Sequence, residues 1–112
     1  DPRRFVEKVD FITSPGYLWG KGAREEVGLP PETGPHKIIT NLCVMGFDEE
    51  TKRLRVKTIH PGVSKEDVVA ATGFELMWPP VLTVSRLPSA EELRILREEV
   101  DPQKYIIGRQ AT

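Results

Sequence analysis

The amino-acid sequence predicts an α/β fold in which a central β-hairpin is flanked by short helices. Three observations support this prediction: an apolar stretch at residues 38–47, an alternating stretch at residues 54–60, and helix-capping patterns at Ser64 and Ser89. The two stretches have the patterns of strands, whereas the capping patterns begin helices. The chain has 112 residues, which is enough for one domain with a thin hydrophobic core.

The hairpin is predicted over residues 37–61. Residues 38–47 are apolar or small on both alternating faces, which is typical of a central strand that is covered on both sides. Residues 48–52 are polar and turn-like, since Asp48 can bond its own backbone. In residues 54–60 apolar and cationic side chains alternate, so we expect one buried face and one solvated cationic face.

Before the hairpin, short structural patterns alternate with turns. Residues 9–13 are predicted as a short strand that ends at the tight turn Ser14-Pro15-Gly16, where proline fixes φ and glycine accepts positive φ. Residues 23–27 are predicted to form one or two helical turns, and Gly28 supplies the stop signal. Residues 29–36 form a proline-rich loop.

A short helix and an edge strand are predicted directly after the hairpin. Ser64 and Asp67 have the spacing of a capping box, and Gly73 is expected to end this helix. Residues 81–84 are a candidate edge strand, because the proline pair that precedes them limits hydrogen bonding to a neighbour.

The clearest helix of the sequence lies near its C-terminal end. Ser89 and Glu92 form its capping box, and the apolar residues Leu93, Leu96 and Val100 recur at helical spacing up to Asp101-Pro102. Beyond it, residues 105–107 are too apolar to remain free in water. Together with Trp19 and residues 74–80 they predict an apolar surface that a partner covers.

Composition and charge disfavour several classes of protein. Charged residues make up 29% of the chain and the net charge is −1, without the basic excess of a broad nucleic-acid binder. No apolar run approaches the roughly 18 residues of a membrane span, and we expect no secretory leader. The single cysteine cannot form an internal disulfide, so we expect a cytoplasmic protein. The start at Asp1-Pro2, without methionine, indicates a piece of a longer polypeptide.

Few residues are placed for catalysis. Cys43 lies mid-strand among apolar neighbours and is predicted to be a buried filler, because reactivity requires an exposed, electropositive setting. His36 and His60 each adjoin a proline turn and have no metal-ligand spacing. Gly20-Lys21-Gly22 resembles half of a phosphate-binding loop whose third glycine is missing. The carboxylate pairs occur in solvent-facing patterns that do not predict a raised pKa, so no catalytic constellation is indicated.

The turn at residues 14–17 is the strongest candidate for a ligand site. A strand that ends in a rigid turn with a hydroxyl and an aromatic ring is the kind of place where α/β folds bind ligands. Ser14, Gly16 and Tyr17 are therefore the candidate substrate-binding or active-site-proximal residues. The alternative is a plain structural turn with an aromatic ring packed over it.

Short stretches along nearly the whole chain share their order and spacing with one protein family. They are residues 9–17, 22–25, 28–30, 34–35, 47–52, the turn at Pro61, and residues 66–68, 72–74 and 96–102. Together they resemble a family I CoA-transferase, and most of all the C-terminal half of the β subunit in the group of glutaconate CoA-transferases.

This resemblance implies an open-sheet CoA-transferase-like fold, shared with sugar-phosphate isomerases, and an active site between α and β subunits. It implies transfer of coenzyme A between carboxylic acids, with a dicarboxylate such as glutaconate as the expected substrate. The family uses a glutamyl-CoA thioester, because a carboxylate nucleophile keeps both acyl groups from water. That glutamate lies in the first half of the family's β subunit, so no glutamate in this chain matches it.

We therefore expect residues 1–112 to be a single domain or segment of a β subunit that acts as scaffold and subunit interface and is inactive alone. The expected partners are the rest of the β subunit and an α subunit, in an oligomer, without nucleic acid or membrane. Coenzyme A thioester is expected as a substrate, and neither a tightly bound cofactor nor a metal is expected. Two alternatives remain open: the CoA-thioester hydrolase branch of the same family, and a non-catalytic interaction module.

Overall fold

Four strands form one open sheet in the computed structural model, which describes residues 1–109. The strands are β1 (Ile38–Ile39), β2 (Cys43–Phe47), β3 (Leu54–Ile59) and β4 (Thr83–Val84), in that order across the sheet. The first three strands pair antiparallel, whereas β4 pairs parallel with β3 at the edge. The predicted α/β class and central hairpin are confirmed, as is the edge strand.

Short helices flank the sheet within the described residues. They are α1 (Ala23–Glu26), α2 (Lys65–Ala70) and α3 (Ala90–Arg94), and α3 continues as a π-helical segment, Ile95–Val100. Both predicted capping boxes are present, Ser64 with Asp67 and Ser89 with Glu92. Each box satisfies backbone N–H groups that have no partner inside the helix. None of the described helices is long and apolar enough to cross a membrane.

The predicted single strand over residues 38–47 is wrong, because the chain reverses within it. The Thr40 hydroxyl accepts hydrogen bonds from the backbone N–H groups of Leu42, at 3.1 Å, and Cys43, at 3.2 Å. A threonine side chain that bonds the backbone in this way forms a local turn. β1 therefore folds back onto β2 as a second, smaller hairpin.

The strand predicted at residues 9–13 is also wrong, because none of these residues joins a strand in the structure. Phe11 within this segment is 80% exposed. The N-terminal segment, residues 1–22, instead contacts the rest of the chain at residues 5–6, before the predicted strand. Val6 forms an isolated parallel bridge with Gly73, and the Gly73 N–H donates to the Phe5 carbonyl at 2.7 Å.

Gly73 therefore has a different role from the predicted helix stop. α2 ends at Ala70, three residues earlier, and the Thr72 hydroxyl donates to the Val68 carbonyl at 2.8 Å near this end. A Cβ atom on Gly73 would lie 2.6 Å from the Pro2 carbonyl oxygen and 2.8 Å from that of Phe5. Glycine permits this close approach because it has no side chain.

The hydrophobic core joins the sheet to α2 and is small. Its buried members are Cys43, Met45, Val56, Val68 and Leu76. The radius of gyration is 16.8 Å, well above the roughly 13 Å expected for a compact domain of this length. An open shape with a small core leaves many apolar side chains in contact with water.

The apolar surface predicted from the sequence is present in part. Trp19, Tyr105 and Ile106 are exposed. Phe74 and Trp78 instead pack against the core, and the Lys65 ammonium lies 4.7 Å from the centre of the Trp78 ring. Exposure of residues 74–80 was predicted wrongly, whereas exposure of Trp19 and of residues 105–107 is confirmed; the partner that would cover them stays a prediction.

Candidate functional site

A cleft of about 940 Å³ separates the N-terminal segment from the β2–β3 hairpin. Aromatic rings from distant parts of the chain line it: Phe5, Tyr17, Trp19, Phe47 and Phe74. The Phe5 and Phe74 rings meet edge to face with their centres 4.9 Å apart. Concave apolar sites of this size are the usual places where proteins bind ligands or partners.

The charged side chains of the cleft have mixed signs. The cationic residues Lys8, Lys52 and Arg53 line it together with the acidic residues Glu7 and Glu75. Three cations against two carboxylates leave an excess of one positive charge. The cleft is therefore suited to an apolar occupant with at most a weak preference for negative charge.

Tyr17 holds the predicted turn against the sheet. Its hydroxyl donates to the Pro35 carbonyl at 2.8 Å, and its ring meets the Phe47 ring edge to face with the centres 4.8 Å apart. The Lys52 ammonium lies 5.3 Å from the centre of the Tyr17 ring, within the range of a cation–π contact. The ring thus joins the end of β2 to the proline-rich loop.

Gly16 takes part through its backbone. Its φ is +54°, a conformation that costs glycine little. Arg24, which lies on α1, donates to the Gly16 carbonyl at 2.7 Å and to the Thr33 hydroxyl at 2.8 Å. The Thr33 hydroxyl in turn donates to the Pro30 carbonyl at 2.6 Å. One guanidinium therefore fixes both the turn and the loop that faces it.

Ser14 is exposed and lines a second, smaller pocket of about 330 Å³. Tyr17 lines this pocket as well as the large cleft. The structure therefore brings Ser14 and Tyr17 to one pocket, whereas Gly16 shapes the turn between them. Both the ligand-site interpretation and the structural-turn interpretation are compatible with this geometry.

Two residues at the cleft have a strained backbone. Leu18 and Lys52 have φ values of 52° and 61°, a region that costs a residue with a side chain on the order of 1–3 kcal/mol. Gly20 approaches the residue that precedes Lys52, since a Cβ atom there would be 2.9 Å from the Thr51 carbonyl oxygen. The turn of the N-terminal segment is thus pressed against the β2–β3 turn.

Asp48 and Arg55 form an ion pair beside the cleft, with Nη2 and Oδ1 2.8 Å apart. The second Asp48 oxygen accepts hydrogen bonds from the Thr51 backbone N–H and hydroxyl, both at 2.8 Å. The Thr51 N–H and the Arg55 guanidinium together hold the pKa of the Asp48 carboxyl far below its usual range. The sequence pattern placed Arg55 on a solvated face, so it missed this pair.

Several other carboxyl groups also have lowered pKa values. Hydrogen bonds from the Arg86 guanidinium lower the pKa of Glu92 to about 2. The pKa of Asp67 is lowered by the backbone N–H of Ser64, and that of Glu91 by Arg94. These carboxylates are ionised. Their oxygens already accept hydrogen bonds, however, and those bonds make the carboxylates weaker nucleophiles.

Cys43 is the buried filler that the sequence predicts. It is 1% exposed, and burial raises the pKa of its thiol against the weaker opposing effect of the Thr40 hydroxyl. A buried thiol of raised pKa is a poor nucleophile.

His60 is held by hydrogen bonds at both ring nitrogens. Its Nε2 donates to the Thr40 carbonyl at 2.9 Å, and its Nδ1 lies 3.1 Å from the Ser85 hydroxyl. The ring therefore links the β1–β2 turn to the residue that follows β4. Within residues 1–109, no group of three or more histidine, cysteine, aspartate or glutamate side chains could hold a metal ion.

These features define an open-sheet α/β segment whose aromatic cleft joins distant parts of the chain. Residues 2–71 match the family described as coenzyme A transferase. The chain belongs to the coenzyme A transferase family.

Three relatives carry the comparison further. The chain is 38% identical over 107 residues to the β subunit of glutaconate CoA-transferase from Acidaminococcus fermentans, covering 96% of this chain and 40% of that protein. It is 38% identical over 95 residues to the β subunit of 3-oxoadipate CoA-transferase from Pseudomonas knackmussii, covering 85% and 36%. It is 31% identical over 107 residues to the IpdB subunit of the cholesterol ring-cleaving hydrolase from Rhodococcus jostii, covering 90% and 39%. The chain thus spans about two fifths of the length of these relatives.

Solved structures agree with the sequence comparison. The crystal structure of glutaconate coenzyme A-transferase from Acidaminococcus fermentans matches with a TM-score of 0.86 at 38% identity, covering 97% of this chain and 42% of that one. The crystal structure of Rhodococcus jostii IpdAB matches with a TM-score of 0.70 at 30% identity, covering 93% and 41%. The predicted family resemblance and the open-sheet CoA-transferase-like fold are confirmed.

Proposed function

We propose that this chain is the C-terminal part of a β subunit in a heteromeric CoA-transferase. The enzyme moves coenzyme A between carboxylic acids, with a CoA thioester as substrate and no tightly bound cofactor. Relatives named for glutaconate and for 3-oxoadipate favour a dicarboxylate as one of these acids. The free thiol of Cys43 favours the cytoplasm as the compartment.

Within that enzyme the chain serves as scaffold and subunit interface. The observation that carries this role is the number of large apolar side chains left in water; Phe11, Trp19, Tyr105 and Ile106 are each at least 65% exposed. Extensive apolar surface of this kind is usually covered by a partner. The rest of the β subunit and an α subunit are the proposed partners.

The reactive carboxylate is proposed to lie outside this chain. CoA transfer through an enzyme-bound thioester needs a carboxylate that can attack an acyl carbon. The carboxylates of lowered pKa already accept hydrogen bonds, as Asp48 does from Thr51 and Arg55. Ser14, Gly16 and Tyr17 are proposed to border the active site, with Tyr17 supporting the wall between the cleft and the smaller pocket.

The experiment compares the isolated chain with the complete β and α subunits from the same source. Each sample receives acetyl-CoA and glutaconate, and glutaconyl-CoA is measured by chromatography. We expect transfer by the complete enzyme and none above the enzyme-free rate by the chain alone. Transfer by the isolated chain that survives repurification would contradict the scaffold role, and no transfer by the complete enzyme would contradict the proposed reaction.

Variants of the complete enzyme test the role of the turn. Tyr17→Ala removes the bond to Pro35 and the contact with Phe47, so we expect a loss of about tenfold or more in turnover, as for misplaced site geometry. Lys21→Ala is the control, because Lys21 lies nearby in an exposed ion pair with Glu50, and such pairs contribute little. Equal turnover in the two variants would show that Tyr17 does not contribute to the active site.

A CoA-thioester hydrolase is the second candidate function, because one relative, at 31% identity, is a subunit of a ring-cleaving hydrolase and not of a transferase. The two reactions differ when the acceptor acid is omitted. A transferase then retains the thioester, whereas a hydrolase releases the free thiol of coenzyme A, which a thiol reagent detects. Steady release of thiol without an acceptor would establish the hydrolase, and the absence of transfer when an acceptor acid is then added would exclude the transferase.

A further inference from the structure

Arg24 ties the turn at residues 15–18 to the proline-rich loop at residues 29–36. Its Nη1 donates to the Gly16 carbonyl at 2.7 Å, and its Nη2 donates to the Thr33 hydroxyl at 2.8 Å. Because the guanidinium is planar and rigid, its two nitrogens fix both the distance and the angle between the two segments. We call these two bonds the Arg24 clamp.

The clamp differs from other arginine contacts of the chain because it contains no carboxylate. The guanidinium groups of Arg55, Arg86 and Arg94 each form an ion pair with an aspartate or a glutamate. Within residues 1–109, Arg24 takes part in no ion pair, although it is half-buried. A charged donor forms a stronger hydrogen bond than a neutral one, so the charge of Arg24 strengthens the two bonds that hold the segments.

A second link joins the same turn to the same loop. The Tyr17 hydroxyl donates to the Pro35 carbonyl at 2.8 Å. Gly34 lies against the Tyr17 ring so closely that a Cβ atom on it would be 3.0 Å from a ring carbon. Two links at different points prevent the turn from rotating on the loop, which a single link would allow. The turn therefore has one defined orientation, to which Arg24 and Tyr17 both contribute.

The backbone of Arg24 is itself anchored within the chain. Ala23, the preceding residue, is fully buried, and the Leu29 N–H donates to the Arg24 carbonyl at 3.0 Å. The clamp, its anchor and the second link are all contacts between residues of this chain. They therefore do not depend on which partner covers the neighbouring apolar surface.

We propose that Arg24 is a positioning residue for CoA transfer, which acts through the Gly16 carbonyl and the Thr33 hydroxyl. The inference rests on the proposed function, in which Ser14, Gly16 and Tyr17 border the active site. It adds the side chain that holds this border in place. A border that is displaced from the productive geometry slows the reaction step while the substrates still bind. Loss of the clamp should therefore lower kcat and leave KM unchanged.

The test measures kcat and KM of the complete enzyme for acetyl-CoA and glutaconate. Arg24→Lys offers one nitrogen where Arg24 uses two, so kcat should fall about tenfold, with both KM values within about twofold of the unaltered enzyme. Arg86→Lys is the matched control. Arg86 also uses both of its Nη nitrogens, but on Glu92 at the exposed start of the C-terminal helix. Its kcat should change less than about twofold, since exposed ion pairs contribute little.

A second pair of variants alters the other side of the clamp. Thr33 is exposed, so neither of its variants should prevent folding. Thr33→Val has a similar shape but cannot accept the Arg24 bond, and kcat should fall about fivefold. Thr33→Ser keeps the hydroxyl and should retain kcat within about twofold.

Hydrogen exchange of the complete enzyme measures the turn directly. The Leu18 N–H is bonded to the Pro15 carbonyl at 2.9 Å. It should exchange about threefold faster or more in Arg24→Lys and Thr33→Val than in the unaltered enzyme, because a turn that is released opens more often. Thr33→Ser should exchange at the unaltered rate.

The failure of the positioning role and the failure of the proposed function give different results. Transfer by the unaltered enzyme, with equal kcat values for Thr33→Val and Thr33→Ser, would overturn the positioning role and leave the proposed function standing. Unchanged exchange at Leu18, a rise in KM without a fall in kcat, or an equal loss in Arg86→Lys would also overturn it. No transfer by the unaltered enzyme would overturn the proposed function, and the positioning role with it.

Discussion

The sheet core and the C-terminal helix carry similar apolar signals in the sequence but reach different environments. In β2 and β3, Met45 and Val56 are no more than 1% exposed. On the helix that starts at Ala90, apolar residues recur at helical spacing, yet Val100 is 64% exposed. Both regions have regular backbone structure. The apolar pattern therefore shows which face of an element can be buried, whereas actual burial requires another surface that packs against that face.

That opposing surface closes over the sheet, whereas Leu93 and Leu96 on the helix are only partly buried and no residue of the helix is fully buried. Val68 on α2 and Leu76 close the core over β2 and β3. The helix has its capping box at Ser89 and Glu92 and an ionic network around Arg94, which pairs with Glu91, Glu98 and Glu99. Local bonds of this kind form a helix but contribute little to the stability of the whole domain. We therefore expect the free energy of unfolding to depend on the sheet core.

The largest expected effect comes from shortening a core side chain. Met45→Ala should lower the free energy of unfolding by about 2–5 kcal/mol, because it removes buried atoms and leaves a cavity. Val100→Ala on the exposed helix should change it by less than about 0.5 kcal/mol. Denaturant unfolding followed by tryptophan fluorescence gives both values. Similar losses for the two variants would show that the helix is as much a part of the core as β2.

A pair of glycines tests whether the N-terminal segment belongs with the core. A Cβ atom on Gly73 would meet the backbone oxygens of Pro2 and Phe5, whereas one on Gly46 would meet the end of the flexible Lys57 side chain at 2.6 Å. Gly73→Ala should therefore cost about 1–3 kcal/mol of unfolding free energy, the usual range for overpacking.

Gly46→Ala is the control for this substitution and should cost less than about 1 kcal/mol, since the Lys57 end can move away. The same denaturation experiment measures both variants. If Gly73→Ala has no larger effect than Gly46→Ala, the contact between residues 1–6 and Gly73 is loose, and the N-terminal segment resembles the C-terminal helix instead of the sheet.

The elements that could be predicted are those encoded by a few adjacent residues. The capping boxes at Ser64 and Ser89 contain their own donors and acceptors, so they form wherever the helix lies. The prediction of a single strand over residues 38–47 is wrong because the Thr40 hydroxyl bonds the backbone and turns the chain. Apolar periodicity gives no sign of such a hydrogen bond. The prediction of a strand at residues 9–13 is wrong because a strand needs a neighbouring strand to pair with. The alternation of apolar and polar side chains does not show whether such a neighbour exists.

The candidate site was predictable only in its local part. The expected turn is present but lies at residues 15–18, with Gly16 at positive φ and the Leu18 N–H bonded to the Pro15 carbonyl at 2.9 Å. The cleft behind it depends on rings such as Phe5 and Phe47 that are far apart in the sequence. Nothing in a local pattern indicates that such rings converge, because their meeting is decided by the packing of the sheet.

The smallest expected effect is local and concerns the turn at residues 101–107, in which the Asp101 carboxylate accepts hydrogen bonds from three backbone N–H groups. The N–H of Ile107, with those of Ile106 and Tyr105, lowers the pKa of the Asp101 carboxyl in spite of its burial. The ionised carboxylate therefore stabilises the turn at every pH above its ordinary pKa, about 3.9. As the pH falls below that value and through the lower folded pKa, the carboxyl takes up a proton and the stabilisation is lost.

Nuclear magnetic resonance separates this local change from unfolding of the core. The amide protons of Ile106 and Ile107 should shift together in acid, with a midpoint below about pH 3.9, whereas the amide proton of Met45 should stay in place. Asp101→Asn removes the ionised carboxylate, so the same two amide protons should show no such transition. A midpoint above that ordinary pKa, or a simultaneous change at Met45, would mean that the turn does not titrate independently of the sheet core, and the contrast between the two regions would fail.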